Sequence, residues 1–135
     1  ILSNPNNVTL AADYRSRPWS NVEARIEGDD VEMELEDANS FHVGLEYFAA
    51  AGDNVMPLRV GFYTAPTPDV DVNEDQISFN VVTAGIGLIM GSVILDGSFE
   101  YMFGSFVGDK VDNADVDFNL SDFRITVGGV IHFGK

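Results

Sequence analysis

Arg15, Arg59 and Arg124 each lie in a run where polar and apolar residues alternate, and the carboxylates Asp13, Glu46, Asp96 and Glu100 recur at the same phase. A cation and a carboxylate at matching phase on neighbouring extended segments can pair across strands. Arg59 with Glu46, and Arg124 with Glu100 or Asp96, are the expected partners, and Thr83 falls in the same polar row. Two roles are open to this set. The residues could be ion pairs that hold a wall in register, or one of the arginines could meet a substrate carboxylate through its forked donors.

Cation binding is the second chemistry on offer. The stretch "DVDVNED" begins as a calcium loop does, with Asp69, Asp71, Asn73 and Asp75 at alternate positions. It departs from that pattern at Glu74, where a sharp-turn glycine belongs, and at Asn80, which replaces the bidentate glutamate. Glu27 to Asp37, "EGDDVEMELED", holds seven carboxylates in eleven residues, and Asp109 to Asp117 is similarly acidic. These read as solvated loops, with uptake of Ca²⁺ or Mg²⁺ as the functional alternative. His42 and His132 lack ligand-spaced neighbours and read as wall residues. No nucleophile and base share a motif, and there is no Walker loop or dinucleotide fingerprint, so neither an enzyme nor an organic cofactor is expected.

The elements that must position these residues are strands. Short runs rich in Val, Ile, Phe and Tyr, separated by glycine, mark six segments: Val8–Ser16, Ser40–Ala49, Met56–Thr64, Gln76–Met90, Val93–Phe106 and Asp122–Phe133. The last sets Phe123, Ile125, Val127, Gly129, Ile131 and Phe133 on one face, with Asp122, Arg124, Thr126, Gly128, Val130 and His132 on the other. Connections are expected to run long, short, long, short, long, with Ala50–Val55 and Gly91-Ser92 short, and Ala65–Asp75 and Gly108–Ser121 long.

The uncharged stretch "NVVTAGIGLIMGSVIL", Asn80 to Leu95, is too rich in glycine and polar residues for a membrane helix. A two-residue turn at Gly91-Ser92 instead pairs Met90 with Val93, Leu88 with Leu95, Ile86 with Gly97, Ala84 with Phe99 and Val82 with Tyr101. The opposite face then pairs Gly87 with Asp96, Gly85 with Ser98 and Thr83 with Glu100, so one register sorts both strands.

The fold class implied is all-β, an antiparallel meander of about six long strands in a single segment, residues 1–135. Net charge is −15, from 7 Lys+Arg against 22 Asp+Glu, which argues against nucleic acid as a partner. Without cysteine, thiolate sites and disulfides are excluded. The chain opens Ile-Leu-Ser-Asn-Pro without Met or a leader, and is expected to be a processed or trimmed part of a longer precursor. A soluble sandwich would bury the apolar face, whereas a transmembrane barrel would turn it to lipid and line its lumen with Asp13, Arg15, Glu46, Arg59, Asp96, Glu100 and Arg124. Strand length, alternating connections and aromatics near strand ends (Tyr14, Trp19, Tyr47, Phe103 and Phe133) favour the barrel.

The order and spacing of several short motifs also resemble a known family. These are the strand with Leu58, Arg59, Gly61 and Phe62, the loop "TAPTPD", the strand with Thr83, Gly85 and Gly87, "DGSFEY" at Asp96 to Tyr101, and "SDFRITVGGVIHFGK". Together with "ADYRSRPWS" at Ala12 to Ser20 they resemble the C-terminal part of the FadL/TodX-like outer-membrane transport proteins. The resemblance implies a fourteen-stranded barrel with an N-terminal hatch, taking up hydrophobic molecules such as long-chain fatty acids passively across the bacterial outer membrane. This chain would supply the last six strands, and the terminal aromatic would be Phe133, followed here by Gly134 and Lys135. The implied partners are outer-membrane lipid and lipopolysaccharide, a hydrophobic small molecule, and the remainder of the barrel or other copies of the chain, because open strand edges in hydrocarbon are costly. The alternatives are a self-associating β-sheet or filament with a structural role, extracellular if released, and a soluble secreted calcium-binding sandwich.

Overall fold

The computed structural model describes residues 2–3, 7–26, 29–32, 35–111 and 114–133. Nine strands make up almost all of it: β1 Leu2–Ser3, β2 Val8–Arg17, β3 Glu23–Ile26, β4 Asp29–Glu32, β5 Ala38–Ala51, β6 Asn54–Val70, β7 Gln76–Met90, β8 Val93–Val111 and β9 Ala114–Ile131. One sheet has the order β1-β2-β5-β6-β7-β8-β9, so the six long strands form an antiparallel meander, and β3 pairs with β4 separately. The sheet is open. No described strand covers the far side of β9, and β1 pairs only at Leu10 and Thr9 of β2. No described helix is long and apolar enough to cross a membrane, which leaves crossing by strands open.

All six expected segments are strands, and Gln76–Met90 matches β7 to the residue. The register about Gly91-Ser92 is the expected one, from Met90 with Val93 through Leu88 with Leu95 to Val82 with Tyr101. Gly91 (φ 58) and Gly52 (φ 64) give the two short turns the positive φ that tight hairpins favour. The expected long connections need correction. β6 continues through Pro66 and Pro68 to Val70, with a register shift between Pro66 and Val70, which leaves residues 71–75 as the loop. Most of Gly108–Ser121 is likewise strand, since β8 runs to Val111 and β9 starts at Ala114. Phe106 stacks on Phe118 at 5.4 Å between ring centroids, so packing carries the ladder into a segment that composition marks as loop. The acidic stretches lie partly outside the described residues, at 27–28, 33–34 and 112–113.

The sheet has almost no core. Among the described residues the buried hydrophobics are Ala38 and Val81. The apolar residues instead form rows in register on one exposed face. One row runs Leu10, Leu45, Val60, Ala84, Phe99 and Ile125, and the next runs Ala12, Val43, Phe62, Val82, Tyr101 and Phe123. Val127 is 82% exposed and Val60 57%, whereas Val81, on the opposite face, is 1% exposed. Contiguous exposed apolar rows of this extent mark a surface where a partner or lipid can sit.

Candidate functional site

The charged face gathers the residues whose chemistry the sequence singles out. β6 places Arg59 opposite Glu46 of β5 and Gly85 of β7. Its guanidinium donates from Nε to Glu46 Oε2 at 2.6 Å and from Nη1 to Asp96 Oδ1 at 2.9 Å. Asp96 belongs to β8, so the arginine spans β7 to reach it. Two glycines clear that path: a Cβ at Gly87 would lie 2.7 Å from Asp96 Oδ1 and 2.8 Å from Pro57 Cγ, and one at Gly85 would lie 3.6 Å from Arg59 Cβ. Three strands are thereby tied through one side chain that crosses a fourth. Charge-assisted hydrogen bonds of this kind are stronger than neutral ones, although Arg59 and Asp96 keep 45% and 43% of their side-chain exposure and are screened accordingly.

A second chain of contacts runs beside it. His42 stacks on Tyr63 with ring centroids 5.0 Å apart, and the Tyr63 hydroxyl donates to Glu100 Oε2 at 3.0 Å. The other oxygen of Glu100 lies 3.6 Å from Arg124 Nη1, whose side chain is 70% exposed. Thr83 stands between the two systems: its hydroxyl occupies the space above Gly61, where an added Cβ would lie 2.7 Å from Oγ1. Asp13 and Arg15 face each other along β2 at 3.7 Å, apart from the crossing pairs.

Of the expected partners, Arg59 with Glu46 and Arg124 with Glu100 meet. Asp96, the second candidate for Arg124, is taken by Arg59. Sequence reasoning considered neighbouring strands only and so missed the contact from β6 to β8. The signal for it was present in Gly85 and Gly87, which share a face and leave β7 bare there. The Nε2 of His42 also lies within hydrogen-bond distance of Ser40 Oγ, at 3.1 Å.

The calcium-like stretch folds into a turn built around one carboxylate. Asp71 Oδ1 accepts from the backbone N–H of Asn73 at 2.8 Å and of Asp75 at 3.1 Å, and Oδ2 accepts from Val107 N–H at 3.2 Å. Desolvation raises the Asp71 pKa, but the donors from Asn73, Val107 and Asp75 outweigh it and hold the group below its usual range. Glu74 has φ 65, the conformation that the missing glycine would supply. Among the described residues no three His, Asp or Glu side chains converge as a metal site, and any cation at Asp71 would compete with three amides.

The same end of the sheet is laced together elsewhere. Asp37 Oδ1 accepts from both the hydroxyl and the backbone N–H of Ser20, which hold its pKa low. Gln76 Nε2 donates to the carbonyls of Asp37 and Thr67, and Glu36 N–H donates to Pro68 O. The connections after β2 and β6 are therefore fastened to each other and, through Asp71, to β8. Comparison with known protein families, curated proteins and solved structures finds no match to this chain.

Proposed function

We propose that this sheet is part of the wall of an outer-membrane-type β-barrel of FadL-like character, serving passive uptake of hydrophobic small molecules such as long-chain fatty acids. One observation carries the membrane reading: the apolar face is exposed on all six long strands, and by register it ends within one row on β6, β7, β8 and β9, at Phe62, Val82, Phe103 and Phe123. Along β7 the outward row runs from Met90 to Asn80, where polar residues take over. The nine residues from Met90 to Val82 at about 3.3 Å each, tilted by roughly 40°, project to about 23 Å, close to the roughly 25 Å height of the apolar band of such barrels. Tyr14, Trp19, Tyr47, Phe103 and Phe133 are all exposed, as residues of aromatic girdles would be. The opposite face carries both signs of charge in paired form, as a lumen wall does, while most of the −15 net charge falls outside this set. Uptake of a hydrophobic compound rests on the family resemblance, together with a charged wall that needs the rest of a barrel opposite it.

A second reading follows from the uncovered edge of β9. Such an edge pairs with another strand, supplied by the remainder of the barrel or by further copies in a self-associating assembly. The soluble calcium-binding sandwich is disfavoured by the bare apolar face.

Outer-membrane extraction in detergent tests the proposal. The expected result is a band whose gel mobility shifts on heating. A chain that stays soluble and monomeric without detergent overturns the barrel, and a 4.7 Å meridional reflection from fibres would favour the stacked assembly.

A further inference from the structure

Just beyond the level where the apolar rows end, the same outward face carries a trough of about 570 Å³ between β7, β8 and β9. Its polar lining is Ser78, Asn80, Ser105, Asn119 and Ser121, and no charged side chain takes part. Register explains part of the grouping: Asn80 pairs with Phe103 across the β7–β8 ladder, and Phe103 with Ser121 and Ser105 with Asn119 across the β8–β9 ladder. Tyr101 and Phe103, stacked at 5.8 Å between ring centroids, form its floor toward the apolar band.

None of the five polar side chains hydrogen-bonds to a described residue. Two amides and three hydroxyls thus keep free donors and acceptors side by side at this level, four of the five residues being exposed. Their neutrality disfavours a phosphate, which calls for Arg or Lys. Amides and hydroxyls that donate and accept equally, above an aromatic shelf, suit the hydroxyl-rich ring of a sugar.

We propose that this trough binds the neutral saccharide headgroup of a membrane glycolipid, with the acyl chain running down over Tyr101 and Phe103 onto the apolar rows. The proposal rests on the barrel reading, which places this level at the membrane surface.

The test holds the acyl chain constant and changes the headgroup. The full chain in dodecyl amine-oxide micelles is titrated with dodecyl maltoside and, in parallel, with dodecyl phosphocholine, and the amide shifts of Ser78, Asn80, Ser105 and Asn119 are followed. The expected result is a saturable response to the maltoside that is stronger than the response to phosphocholine by about fivefold or more, the scale of a single net hydrogen bond. In Asn80→Val/Asn119→Val the maltoside preference should vanish, and Ser105→Ala provides a milder variant should the double one fail to fold. Equal responses to the two headgroups, or no saturable response at these residues, overturns the proposal. A tail-labelled paramagnetic lipid separates the two readings. Broadening at Phe99 and Val127 without any saccharide preference defeats the trough alone, and absence of that broadening defeats the barrel and the trough together.

Discussion

Two arginines on one face of one sheet are held in different ways. Arg59, in the middle of the meander, meets carboxylates on both sides, at 2.6 and 2.9 Å, because Gly85 and Gly87 leave β7 open beneath it. Arg124, on the edge strand, has Glu100 at 3.6 Å on one side and no described strand on the other. Interior charge is thus completed by emptying a strand, and edge charge waits for a neighbour. Arg59 therefore serves as a cross-tie of the sheet, while Arg124 keeps guanidinium donors that no described residue takes up in a hydrogen bond.

The sharpest way to break this comparison is to fill the cleared path. Gly87→Val puts methyl groups where a Cβ alone would meet Asp96 Oδ1 and Pro57 Cγ, both under 3 Å. Overpacking of this kind should cost about 2–3 kcal/mol, read from equilibrium denaturation in detergent. Gly128→Ala is the control, since a Cβ there meets nothing within 4 Å, and it should change stability by under about 0.5 kcal/mol. Equal tolerance at the two positions would show that the path across β7 carries no strain and that the tie is incidental.

Removing charge in pairs gives the next effect in size. A double-mutant cycle of Arg59→Met with Asp96→Ala should give a coupling of about 1 kcal/mol, against about 0.3 kcal/mol for Arg124→Met with Glu100→Ala. Both couplings should shrink as salt rises past about 0.15 M, where the screening length falls to about 8 Å. Adding a neighbouring strand beside β9 should raise the second coupling and leave the first unchanged. Coupling at the edge as large as in the interior would erase the distinction.

The sequence carried the strands and their pairing well, for a physical reason that particular residues display. Side-chain alternation has period two, so a slip of one residue would have turned Leu88, Ile86 and Val82 to the charged face; one short turn at Gly91-Ser92 then set the register of both strands. It carried the strand ends poorly. Ala114 to Ser121 carries Asp115, Asp117, Asn119 and Ser121, which composition reads as loop, and the Phe106–Phe118 stack shows why β8 and β9 continue there. The Arg59–Asp96 bond was hidden because cross-strand rules treat adjacent strands, and a long side chain over two glycines ignores that limit.

A smaller effect sharpens the contrast between residues that clear space and residues that bear strain. Glu74 holds φ 65 in the β6–β7 loop, where glycine would rest without a Cβ clash. Glu74→Gly should stabilise the chain by about 0.5 kcal/mol, the left-handed cost relieved less the extra chain entropy of glycine. A loss of stability would show that Glu74 makes a compensating contact.

Asp71 offers the finest test, because its carboxylate is completed by backbone amides instead of a guanidinium. Its folded pKa is depressed, so the stability it contributes is present above the unfolded value and is lost as pH falls through the folded one. That places the loss below about pH 4. After correction for intrinsic rates, exchange protection of the Asn73, Asp75 and Val107 amides should hold steady above that window and drop within it, while the amide of Ile86 in the β7 ladder stays protected. Asp71→Asn separates the two oxygens. An amide oxygen in the place of Oδ1 still accepts from Asn73 and Asp75, whereas the nitrogen in the place of Oδ2 cannot accept from Val107. Val107 should therefore lose protection at every pH and the two loop amides should keep theirs. Simultaneous loss at all three would mean that the tie to β8, and not the turn, is what holds the loop closed.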